Sequence, residues 1–159
     1  MQGFEMKIPS FVALSLAIMA SIPVAIAQQP DRSAATFDGP RLADIMEAIQ
    51  ARHIKLWFAG KNRNWELATF EAMQIRGRLE DAARFYQDLP VTDVTTMGAP
   101  LDALSDAIKA KDATKFAAAF DQLTAGCNSC HQSIERGFIA IQRPSAQPFS
   151  NQNFAPTKK

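Results

Sequence analysis

From position 42 to position 141 the apolar residues of this chain recur at intervals of three and four, and no segment shows convincing two-residue alternation. Only an α-helix brings residues at that spacing onto one face, whereas strand residues share a face every second position. The chain is therefore expected to be all-α. Leu42, Ile45, Met46, Ile49, His53, Leu56 and Trp57 make the first stripe, which predicts a helix over about 40–59. Pro40 suits its first turn and Gly60 its end.

Asn64 is placed to cap a second helix, with Glu66 in the first turn. Its stripe is Trp65, Ala68, Ala72, Ile75, Leu79, Ala82 and Tyr86, and it is expected to stop near Asp88, before Pro90. Gly77 weakens its middle without breaking the pattern. Residues 90–98 read as a loop. Pro100 opens a short third helix carrying Leu101, Leu104 and Ile108, which ends near Lys111. Asp112 caps a fourth, in which Phe116, Phe120, Leu123, Cys127, Cys130, Ile134, Phe138 and Ile141 keep helical spacing to position 141. Four amphipathic helices with short links predict an antiparallel four-helix bundle over 40–142. An irregular, proline-rich tail follows over 143–159, with Phe149 and Phe154 available to dock on the bundle. Trp57 and Trp65 flank the first turn and are expected to plug that end of the core. Lys55, Lys61 and Arg63 make the turn basic, by default a solvated cluster and otherwise a feature that steers an acidic partner.

The 159 residues suffice for one domain, and a net charge of +1 gives no sign of nucleic-acid binding. The first 27 residues read differently from the rest. Lys7 precedes an apolar run from Ile8 to Ala27 that ends in Ala25-Ile26-Ala27, the pattern of a cleaved secretory signal peptide. Met6-Lys7 makes a more natural start than Met1. An uncleaved membrane anchor is the competing reading of the run. Residues 28–39 form a flexible leader. The mature protein is accordingly expected outside the cytoplasm, in the periplasm.

Both cysteines of the chain fall in the stretch "TAGCNSCHQSIERG", at Cys127 and Cys130, and His131 follows directly. On a helix the three side chains share one face. A disulfide over three residues closes almost no loop and would stabilise little. Two thiols one turn apart suit thioether links to the two vinyl groups of a porphyrin, and the next imidazole can reach the iron. C-x-x-C-H is the attachment signature of c-type haem. Three other readings stay open: a thiol–disulfide pair, a zinc site using His53 as fourth ligand, and cysteines that merely pack in an apolar stripe. No nucleophile–base arrangement or phosphate loop is visible, so no enzyme activity is expected.

A helical bundle with C-N-S-C-H on its last helix resembles the cytochrome c′ group and its relatives among the small four-helix cytochromes. The resemblance covers about residues 40–142. It implies one haem c held covalently by Cys127 and Cys130, with His131 as proximal iron ligand. The chain departs from the pattern in its short third helix, in the 28 residues that follow His131, and in a loosely spaced basic residue, Arg136. On the distal side the first helix offers Met46 and His53, seven residues and about 10 Å apart along the axis, so only one can lie over the iron. "IMEAIQARHIKLW" resembles the context in which b-type four-helix cytochromes carry a methionine ligand, which favours Met46 as distal ligand with His53 as the alternative. With either, the expected function is periplasmic one-electron transfer with a redox partner protein. If neither ligates, Ile49 or Leu42 shields an open site, and the resemblance implies a five-coordinate haem that binds nitric oxide or carbon monoxide. Homodimers are common in the resembling group.

Overall fold

The computed structural model describes residues 39–90 and 96–157. The signal peptide expected at 1–27, nearly all of the leader, and positions 91–95 of the expected loop lie outside the described residues. Among the described residues four helices stand out: α1 (Leu42–Lys61), α2 (Trp65–Phe85), α3 (Gly98–Lys109) and α4 (Ala113–Ser133). The described residues contain no strand, and no helix among them is long and apolar enough to cross a membrane.

The helices pack as a bundle, α1 on α2, α2 on α3 and α3 on α4, while α1 and α4 meet over a narrower strip. Leu56, Ile75, Leu104, Phe116, Phe120 and Leu123 fill the centre. The start of α4 lies beside the end of α1. There Phe116 is stacked 6.3 Å from Trp57 and meets Trp65 edge-on at 6.0 Å, the expected aromatic plug. Gly60 belongs to this plug. It is buried inside α1 with the Phe116 ring where a side chain would start, so it serves close packing and does not end the helix.

The N-caps stand as the sequence placed them. Asn64 accepts from the Leu67 N–H, and Asp112 accepts from the N–H groups of Thr114 and Lys115. The C-terminal ends of α1, α3 and α4 share one device. Arg63, Lys111 and Glu135 adopt left-handed φ values of 58°, 54° and 59°. At each, the left-handed residue donates to the carbonyl three back and its successor to the carbonyl five back: Arg63 to Gly60 and Asn64 to Ala59, Lys111 to Ile108 and Asp112 to Ala107, Glu135 to Gln132 and Arg136 to His131. These are Schellman ends without glycine. Asn64 and Asp112 each close one helix with the main chain and open the next with the side chain, which makes the links three residues long.

The fourth helix therefore stops at Ser133, eight residues before the expected 141. The apolar spacing beyond it has no helical meaning: Phe138 is 81% exposed. The chain instead turns at Glu135 and runs back along the bundle. Arg143 donates to Asp121 at 3.0 Å and lies 4.4 Å over the Trp57 ring. Lys55 sits 4.6 Å over Phe149. Phe154 is buried 6.0 Å from Phe58, and Asn64 donates to the Ala155 carbonyl at 3.0 Å. The tail is irregular, as expected, but docked from the end of α4 to the α1–α2 turn.

Candidate functional site

Where α1 and α4 separate, the bundle holds a cavity of about 380 Å³, within the range of small-molecule and cofactor sites. α1 contributes Leu42, Met46, Ile49 and His53, and α2 contributes Leu79 and Ala82. Cys127, Cys130 and His131 of α4 all face it, and the chain beyond α4 adds Ile134, Ile139 and Ile141. The five site residues picked out from sequence thus line one apolar space. Helical spacing puts the three on α4 together; the packing of α1 beside the end of α4 brings in the other two.

His131 lies in the last turn of α4. Its Nδ1 is 2.7 Å from the Ile139 carbonyl oxygen. A carbonyl only accepts, so Nδ1 carries the proton and the neutral ring keeps its lone pair on Nε2. Histidines that bind metals are held in this manner, with the far nitrogen tied to a carbonyl or carboxylate.

Cys127 and Cys130 are half-buried and not joined in a disulfide. Burial, with a smaller contribution from Cys130, pushes the Cys127 thiol up to about 11. A thiol–disulfide catalyst needs the opposite shift, toward a thiolate at neutral pH. Among the described residues no three or more His, Cys, Asp or Glu side chains converge as a metal-ion site, so the zinc arrangement finds no support. Thiols spread along an apolar wall, one turn apart, with an oriented imidazole beside them, fit a flat apolar prosthetic group better than a bare ion.

On the opposite wall, Met46 is half-buried and packs against the core. His53 lies deeper and is 3% exposed. Its Nε2 is 2.8 Å from Thr124 Oγ1, and its ring is 4.4 Å from Phe120. Burial pushes its pKa down to about 4, so it is neutral at physiological pH.

Met97 also lines the cavity, from just before α3, and is 3% exposed. A side chain on Gly126 would strike its sulfur, so the glycine lets Met97 reach the wall next to Cys127. Met97 falls within the loop expected at 90–98, because no periodic stripe includes it. Thr124, Asn128 and the Ile139 carbonyl were equally invisible, since each matters through a hydrogen bond to a distant or main-chain atom. Arg136 reaches the cavity as well.

Comparison with protein-family models, with curated proteins and with solved structures gives no match to this chain.

Proposed function

We propose that the chain is an exported monohaem c-type cytochrome that carries single electrons in the periplasm. In this reading Cys127 and Cys130 hold one haem c through thioether bonds, and His131 provides the proximal ligand from Nε2. The observation that carries the proposal is the His131–Ile139 hydrogen bond beside two cysteines on the wall of an apolar cavity. When bound, the haem supplies a one-electron iron couple whose potential depends on axial ligands and burial.

The chain's own residues account for the rest. Ile139 keeps the His131 ring in one tautomer and orientation, so Nε2 needs no reorientation to bind. Leu42, Ile49 and Leu79 keep the cavity apolar and exclude water. Met46 is the α1 group whose sulfur is not committed elsewhere by a hydrogen bond, and a thioether opposite an imidazole raises the potential. His53 Nε2 already has a partner in Thr124. The apolar run before Gln28 fits the same reading, because haem c is attached outside the cytoplasm. The physiological partner is then a second redox protein.

The test is retention of colour after denaturation. Protein made in a host able to attach haem should keep it in acidified organic solvent and give a c-type pyridine spectrum. Replacing both Cys127 and Cys130 by Ala should abolish retention; a parent that releases its haem refutes covalent attachment. The optical spectrum of the reduced protein then separates electron transfer from gas binding. Sharp low-spin bands mean an occupied distal position, whereas broad high-spin bands that shift with carbon monoxide mean a five-coordinate gas-binding haem.

A further inference from the structure

The hydrogen bond that orients His131 comes from a segment outside the helix, and that segment is not held there by local structure alone. Glu135 turns the chain, Arg136 N–H closes on the His131 carbonyl at 2.6 Å, and Ile139 N–H closes on the Arg136 carbonyl at 2.8 Å. Two residues further on, Ile141 is clamped by one side chain. Asn128 donates from Nδ2 to the Ile141 carbonyl at 2.9 Å, and its Oδ1 accepts from the Ile141 N–H at 2.7 Å. Asn128 lies between the two cysteines, three positions before His131, on the same side of α4.

A primary amide is suited to this task. It presents one donor and one acceptor in a plane and so pairs with both main-chain groups of a single residue, as a neighbouring strand would. Two bonds to one residue fix the place of the segment and its rotation about its own axis. Rotation matters because the Ile139 carbonyl, two residues before the clamp, must face Nδ1 of His131.

We infer that Asn128 is a positioning residue for His131: by clamping Ile141 it holds the strap 134–141 so that the Ile139 carbonyl fixes the imidazole. The hydrogen-bond relay stands without any cofactor, and only its electronic consequence rests on the haem reading. Tying Nδ1–H to a carbonyl makes the ring a stronger electron donor. Loosening the strap weakens that donation and raises the reduction potential of the bound iron.

Two measurements on the full chain test the inference. In haem-free protein, nitrogen-edited NMR should show the His131 Nδ1–H as a solvent-protected proton. Asn128→Ala should speed its exchange at least tenfold. Asn128→Asp, which keeps an acceptor for Ile141 N–H but sets a carboxylate oxygen against the Ile141 carbonyl, should also speed it. Arg143→Ala, which loosens the tail downstream of the clamp, should leave it protected. In haem-loaded protein, Asn128→Ala should raise the midpoint potential while helical content stays at the parent level. Undiminished protection in both Asn128 variants, or equal loss in Arg143→Ala, overturns the inference. If the chain retains no haem, the cytochrome reading fails, and the Nδ1–H signal still decides the role of Asn128.

Discussion

His53 and Thr124 are joined across the α1–α4 interface by a bond whose direction is determined. Thr124 donates its one hydroxyl proton to the Phe120 carbonyl at 2.9 Å, so its oxygen is left to accept from His53 Nε2–H at 2.8 Å. The buried ring is thereby satisfied in its neutral form. Its pKa falls from an unfolded value of 6.5 to about 4. A depressed histidine pKa contributes stability above pH 6.5, and that contribution is lost as pH falls toward and through 4, because the unfolded chain takes up the proton first. The loss at pH 4 is about 3 kcal/mol. Urea unfolding at pH 7 and pH 4.5 should show the decline, and His53→Gln should reduce it while leaving the contribution of the carboxylates. An unchanged pH dependence in the variant would assign the acid sensitivity to other groups.

Met46 and His53 make opposite predictions for the haem-loaded protein. Met46→Ala should turn the reduced spectrum high-spin and open the iron to carbon monoxide. His53→Ala should leave the spectrum nearly unaltered, although it costs stability by emptying a buried site and removing the donor to Thr124 Oγ1, whose own bond to the Phe120 carbonyl remains. The reverse pattern would mean bis-histidine ligation, with the Thr124 bond given up or His53 binding through Nδ1. A parent already high-spin would remove the main support for electron transfer.

Gly60 tests the aromatic plug. A methyl group there starts inside the Phe116 ring, which Trp57 and Trp65 hold in place. Gly60→Ala should cost about 1–3 kcal/mol through overpacking, despite the better helix propensity of alanine. The readout is a lower urea midpoint at unchanged slope. A stabilised variant would show that Phe116 moves easily and that the plug is loosely packed.

Lys111 is exposed and left-handed at the end of α3, where a β-carbon is unfavourable by about 1–2 kcal/mol. Lys111→Gly relieves that strain and loses part of the gain to the greater freedom of glycine in the unfolded chain. A net stabilisation of about 0.5–1 kcal/mol is expected in thermal or urea unfolding. A loss would place the Lys111 side chain in an interaction worth more than the strain.

The helical spacing, the two side-chain caps at Asn64 and Asp112, and the sharing of one α4 face by Cys127, Cys130 and His131 were all legible in the sequence. Each follows from the 3.6-residue turn or from a hydrogen bond spanning three residues. The ends of the first three helices fall within three residues of expectation, but the left-handed turns that close α1, α3 and α4, and the stop at Ser133, were not legible. Glycine is the usual mark of a left-handed C-terminal residue, and here Arg63, Lys111 and Glu135 do that work. Gly60, which carries the mark, is required by Phe116 instead.

What the sequence by itself determined is therefore everything set by short-range periodicity: an all-α bundle, its apolar faces, and the Cys-Cys-His grouping. Tertiary structure decided which atoms those groups meet. It stopped α4 at Ser133 and returned the chain along the bundle, because Asn128, Asp121, Trp57 and Phe58 offer partners to Ile141, Arg143 and Phe154 that a continued helix would not reach. It gave His53 to Thr124 and His131 to Ile139, and it set Met97 in the cavity wall. The two histidine pairings are non-local, 8 residues apart for His131 and Ile139 and 71 for His53 and Thr124. A pattern confined to one helical face carries no record of them.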